Sequence, residues 1–321
     1  MADKLSQYSL GPLPWTRELL IKAYWADWLG SLQKIKEHPG YLAHQALDDI
    51  QASLEMFFDC VDDLTAATSY FRDQAAEHDL FSRGNRQRLE QLERSIRKSF
   101  FAVTSTAFAL VDTTRRVRKH YEVIGYDEQV KESFSENELH RFIQDLRNVF
   151  SHRHLLNPGW QIIYKPGGKI TRFILSKEDL NRYVEWCPLA RRFMEKHSFE
   201  IDVENLTSEY RLLVEHFHKW FRDAILAFVG NEIKEYTSYE RILKGEQWRQ
   251  YWRLYLNEGI KRNLDPYNYL DRFLSPEEVE RAKALPRHSR EQADLMISMA
   301  DEYNICDNEI RGLVYRLFGI S

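Results

Sequence analysis

Apolar residues recur every three or four positions along almost the whole chain. A repeat near 3.6 residues can bury such residues on one side only by winding into α-helices that pack together. The clearest run is Leu89, Leu92, Ile96, Phe100, Val103 and Ala107, which predicts a helix from just after Ser82-Arg83-Gly84 to about Tyr121. Upstream, Leu19, Leu20, Ala23, Trp28 and Leu32 predict a helix from Trp15 to roughly Lys36, ending near His38-Pro39-Gly40; a second fills most of Tyr41 to Ala76. Downstream, a long helix from about Asp202 to Glu235 is expected to bury Leu206, Tyr210, Leu213, Phe217, Phe221, Ala224 and Phe228.

One segment breaks the period. Trp160 to Tyr164 and Ile170 to Leu175 are β-branched and aromatic runs flanking Lys165-Pro166-Gly167-Gly168-Lys169, which predicts a β-hairpin over about 160–175. Two strands alone are marginally stable, so the hairpin should pack on helices, where it could border a cleft. Helical pattern resumes at Ser176-Lys177-Glu178-Asp179. The expected organisation is a helical bundle over 1–236 and a C-terminal helical subdomain over 237–321. In the latter, Tyr251, Trp252, Tyr255 and Leu256 suggest aromatic packing, Ser275-Pro276-Glu277-Glu278 marks a helix start, and two short helices follow near Arg290–Tyr303 and Asp307–Phe318. Three short helices can imitate a helix-turn-helix DNA reader, but no distinct basic recognition helix is present.

Composition narrows the function classes. A hydrophobic content of 43% over 321 residues suffices for a real core, while a formal charge of −4 gives no global basic signature. Any nucleic-acid binding must therefore use a local patch. Cys60, Cys187 and Cys306 are odd in number and far apart, offering neither a disulfide framework nor metal-binding spacing. The acidic residues Asp48, Asp49, Glu55, Asp59, Asp62 and Asp63 lack the Glu-x-x-His pairs of di-iron bundles and read as a solvated face. His216 and His218 point to different faces and make poor metal partners, so no metal or cofactor is expected. No signal peptide or membrane-spanning run is evident, so a cytoplasmic protein without membrane contact is expected. The basic run Arg115 to His120 reads first as favourable charge at a helix C-terminus and second as a phosphate-binding edge.

The chemistry concentrates in Arg147-Asn148-Val149-Phe150-Ser151-His152. Ser135 at the N-cap with Glu138 three residues on predicts the start of their helix as a capping box. Leu139, Phe142, Ile143, Leu146 and Phe150 then form one buried stripe, leaving Asn148 and His152 on an outer row with Arg141 and Asp145. Arg147 falls at the stripe's edge, about 140° around the helix from His152. Sharing one substrate therefore needs the reach of the Arg side chain, a frayed last turn or a second copy of the helix. Histidine titrates near neutrality and can act as base or acid, while the guanidinium offers a planar fork of donors to phosphate oxygens. The plain alternative is a solvated helix end, with Arg147 paired to a carboxylate and His152 capping terminal carbonyls.

The pattern Asp-Leu-Arg-Asn-x-x-x-His, spanning Asp145 to His152, resembles the motif of HEPN domains, helical bundles in which an Arg, often followed by Asn, precedes a His by five to seven positions. The resemblance implies an all-α, HEPN-like bundle with the small hairpin after the motif helix. It further implies a homodimer whose two motifs line one cleft and, in many members, a metal-independent endoribonuclease. His152 would be the base or acid, Arg147 would stabilise phosphate charge, and Asn148 would position the histidine or the substrate. Arg141, Asp145 and His154 would border the site and contact RNA. Such nucleases are often toxins or antiviral effectors governed by an inhibitory or activating protein partner. Other members lack the activity, so the competing class is a catalytically silent helical module that binds a protein or nucleotide.

Overall fold

The computed structural model describes residues 10–76, 78–152, 158–166, 168–182 and 185–320. These form a mostly helical protein with one small antiparallel sheet. In chain order the helices are α1 (Arg17–Ala26), α2 (Trp28–Ile35), α3 (Pro39–Ala76), α4 (Arg86–His120), the short α5 (Tyr126–Val130) and α6 (Glu138–His152). Strands β1 (Gly159–Lys165) and β2 (Gly168–Leu175) follow, then α7 (Lys177–Asn181), α8 (Pro188–Lys196), β3 (Ile201–Asp202) and the long α9 (Val203–Lys261). The C-terminal helices are α10 (Pro276–Lys283), α11 (Arg290–Ala300) and α12 (Asn308–Leu317). No helix among the described residues is long and apolar enough to cross a membrane.

The chain divides into two compact units, residues 43–230 and residues 1–42 with 231–321, cutting within α3 and α9. The second boundary lies close to the expected 236, but the N-terminal segment groups with the C-terminal one. The cause is apolar burial, since Leu10, Trp15, Leu20, Ala23 and Ile35 share a core with Tyr239 and Leu243 of α9. The Trp15 backbone N–H also donates to the Tyr239 hydroxyl at 3.1 Å. The predicted first helix is two, because Asp27 is extended at φ −154° and its carboxylate accepts the Gly30 N–H at 3.0 Å, ending α1 and capping α2.

In the unit of residues 43–230, α3, α4, α6, α8 and the first part of α9 enclose a core that includes Phe57, Leu64, Phe71, Phe100, Leu110, Phe142, Leu146, Phe193 and Tyr210. A neighbouring cluster gathers Ile50, Val117, Phe134, Phe217, Phe221 and Ile225. The inward stripe of α9 passes through Val214 and Ile225, leaving Phe228, expected in the core, 61% exposed. The hairpin forms as expected, with Lys165 paired to Gly168, and gains a third strand when β3 pairs with the end of β2. It docks on the end of α3: Phe173 meets Phe71 edge-on at 4.7 Å, Trp160 lies against Phe81 at 4.8 Å, and the Lys169 ammonium donates to the Ala76 carbonyl at 3.2 Å. A cation there satisfies helix-terminal carbonyls and complements the helix dipole.

Candidate functional site

Helix α6 carries the site, and its entry differs from the capping box expected at Ser135. Residues Lys131–Ser135 form a wide π-turn in which the Ser135 hydroxyl turns back toward the Val130 carbonyl at 3.4 Å, and so the helix starts later. Asn137 is the cap. Its side-chain oxygen accepts the His140 N–H at 3.0 Å and its carbonyl accepts the Arg141 N–H at 3.1 Å. Glu138 pairs instead with Lys196 of α8 at 2.7 Å.

The apolar stripe seats α6 between two helices. Phe142, Ile143, Leu146 and Phe150 are buried as their spacing requires, with Val149 joining them. Phe150 meets Phe100 of α4 edge-on at 5.5 Å, and Phe142 stacks on Phe193 of α8 at 5.0 Å. Fixed in this way, α6 places the Arg147 guanidinium carbon over the Phe108 ring of α4, 3.8 Å from its centroid. Phe108 lies one residue beyond the buried Ala107, and its spacing of seven from Phe101, which itself touches Phe150, is the one sequence signal that could have marked it. A stacked guanidinium keeps its charge and its in-plane N–H donors while losing rotational freedom.

Asn148 is exposed, and its side-chain oxygen accepts from Arg147 Nη1 at 3.3 Å. Among the described residues no carboxylate lies within ion-pair distance of Arg147, so its charge remains available. Arg141, half-buried on the same helix, donates to Gln144 at 3.0 Å. Asp145 faces α8, where one carboxylate oxygen accepts the Cys187 N–H at 2.8 Å at the cap of that helix. His152 is the last residue of α6; its side chain and His154 lie outside the described residues.

Two of the buried histidines have strongly lowered pKa values: His140, which the sequence did not single out, and His218, which it set aside only as a metal partner. His140, one turn into α6, shares a hydrogen bond of 3.0 Å with the Tyr210 hydroxyl of α9 and packs on Phe134. Burial, reinforced by the Arg141 and Arg115 charges, lowers its pKa from 6.5 to about 4. It is therefore neutral at pH 7, and the same burial raises the pKa of Tyr210. His218 of α9 lies between the Thr114 hydroxyl at 3.0 Å and the Val214 carbonyl at 2.8 Å, its pKa also pushed down to about 4 by burial. The carbonyl can only accept, so Nδ1 carries the proton and Nε2 of the neutral ring is an acceptor, competing for the one Thr114 hydroxyl proton with the Leu110 carbonyl at 2.8 Å.

Of the basic run at the end of α4, Arg115 lies 3.9 Å from Asp112, Arg116 donates to Thr113, and Arg118 lies over Tyr126. Among the described residues no group of three or more His, Cys, Asp or Glu is arranged to hold a metal ion. Comparison with known proteins finds no matching family model, no similar curated protein and no similar solved structure.

Proposed function

We propose that this chain is a metal-independent endoribonuclease of HEPN type acting through Arg147, Asn148 and His152. The observation that carries the reading is the Arg147 guanidinium, held over the Phe108 ring with no carboxylate beside it among the described residues, on the helix that His152 ends. A cation fixed in this way is ready for a phosphate and needs little reorganisation when charge develops there. His152 takes the proton from a ribose 2′-hydroxyl as the O2′–P bond forms; the P–O5′ bond breaks and the departing oxygen takes a proton from a second acid. The products are a 2′,3′-cyclic phosphate and a free 5′-hydroxyl. Arg147 holds the phosphate oxygens, and Asn148 positions the imidazole or the substrate.

The angular separation of Arg147 and His152 on one helix favours a site made from two copies of α6, and hence a homodimer. The HEPN resemblance also suggests a toxin or antiviral effector, restrained or activated by a protein partner. A second reading, a catalytically silent helical module, draws support from Arg147 and Asn148 bonding to each other.

Cleavage of mixed cellular RNA in excess EDTA separates the two. Wild type is expected to cut and to leave cyclic phosphate ends, while folded His152→Ala and Arg147→Ala lose activity by about 10²-fold or more. Equal cutting by all three would overturn the assignment of the site. An inert wild type, tested also as a dimer and with candidate partners, would favour the silent module.

A further inference from the structure

Strand β1 is an edge of the sheet, whose order is β1-β2-β3. Its pairing with β2 runs without a bulge from Gly159 and Ile174 to Lys165 and Gly168. In an antiparallel ladder every second pair exchanges both main-chain hydrogen bonds. The pair of Lys165 and Gly168 encloses only two residues, of which Pro166 has no N–H, so it is a pair of that kind. Counting back, Lys165, Ile163, Gln161 and Gly159 turn their main-chain groups to β2, while Trp160, Ile162 and Tyr164 turn theirs to the outer side. Among the described residues no other element bonds to these outer main-chain groups; Trp160 reaches Glu93 at 3.0 Å through its indole Nε1. The edge also lacks the usual guards against pairing, which are a proline, a bulge, a central charge or a very short strand. The strand's one charge is Lys165 at its end, and the Tyr164 ring is 76% exposed.

Unpaired main-chain groups at every second residue call for another extended strand, because a strand presents its own donors and acceptors at that same spacing. The row is also complementary to itself. When two copies of β1 pair antiparallel about a two-fold axis at Ile162, Ile162 meets the partner's Ile162 and Trp160 meets the partner's Tyr164. Every outward residue then faces an outward residue, giving about six main-chain hydrogen bonds, and a slip of one residue gives none of these pairs. The side chains agree with this register. Trp160, Ile162 and Tyr164 share one face of the pleat, so the exposed Tyr164 ring gains the partner's Trp160 as a cross-strand aromatic neighbour on each side of the axis. Each Lys165 falls opposite the partner's Gly159, which puts the two charges at opposite ends of the joined strands. A strand from an unrelated protein would use the same main-chain groups, but the match of centre, rings and charge is a property of this sequence paired with itself.

We infer that the β1 edge is a homodimer interface, joining the sheets of two copies into one continuous sheet through their β1 strands. As the dimer that brings two copies of α6 into one molecule it rests on the ribonuclease reading, but its test is the oligomeric state and needs no cleavage. Sedimentation velocity of the full-length protein from about 1 to 100 μM should show a wild-type dimer. Ile162→Pro removes the central outward N–H and no bond to β2, while Tyr164→Lys places a charge on the exposed edge. Each should weaken the dimer about tenfold or more and leave the circular dichroism spectrum as in wild type. Mild oxidation tests the register, beside wild type to measure the background from Cys60, Cys187 and Cys306. Ile162→Cys should cross-link copy to copy, because residues opposed in such a pair lie about 5.5 Å apart at Cα, within disulfide reach. Gln161→Cys, set two residues away from its own counterpart, should not. A monomeric wild type, a dimer that neither substitution weakens, or cross-linking through Gln161→Cys in place of Ile162→Cys would overturn the interface. A β1 dimer that never cuts RNA would keep the interface and sink the nuclease, whereas RNA cleavage by a monomeric wild type would do the reverse.

Discussion

At the scale of single residues, the arrangement of Arg147 on Phe108 makes a specific demand. Arg147→Lys keeps the charge but loses both the planar fork and the stacked plate, so RNA cleavage should fall about tenfold or more with little change in melting temperature. Phe108→Leu should reproduce part of that loss. An Arg147→Lys enzyme as fast as wild type would mean that only charge matters at this position. The outward placement of Asn148 follows from the helical period alone. The roles of Asp145 and His140 could not be read that way, because one depends on the Cys187 N–H of α8 and the other on the Tyr210 hydroxyl of α9, 42 and 70 residues distant in sequence.

At the scale of elements, the start of α6 and the crossing of α3 with α9 are testable. Asn137→Ala removes the carboxamide that caps α6 and should cost about 1 kcal/mol, while Ser135→Ala, at the position that sequence spacing favours, should stay within a few tenths. Urea titration of the two variants decides between the caps, and the reverse order would restore Ser135. The capping-box spacing misled because Lys131–Ser135 widens into a π-turn, which moves the first helical residue past Ser135. At Ser275 the same spacing forms a true capping box with Glu278, since Pro276 fixes the first turn directly behind it. Gly40 in the first turn of α3 has a different constraint. A Cβ there would fall 2.0 Å from the Glu232 carbonyl oxygen of α9, a backbone atom that cannot rotate aside. Gly40→Ala should therefore destabilise by roughly 1–3 kcal/mol, despite the better helix propensity of alanine. A stability gain in this variant would show that the two backbones part easily.

At the scale of the whole molecule, the buried His140 and His218 predict how the fold responds to acid. Each is held neutral in the native state by a pKa near 4, whereas in the unfolded chain it takes up a proton near 6.5. Stability is thus complete above pH 6.5, declines as pH falls toward about 4, and loses nothing further from these groups below that. The slope should approach about 1.4 kcal/mol per pH unit for each histidine. Urea midpoints between pH 7.5 and 4.5 would show it, and His140→Gln combined with His218→Gln should flatten the profile; an unchanged slope would assign the acid sensitivity to other groups. What the sequence determined by itself is whatever a local period can encode. The helical class, the hairpin, the buried stripe of α6, the outward Asn148 and the edge position of Arg147 all follow from spacings of two to seven residues. Tertiary structure alone decided the pairing of residues 1–42 with the C-terminal segment, the third strand and the ring beneath Arg147. Those features depend on which side of an element meets which distant neighbour, and burial free energy summed over the packed chain sets that choice.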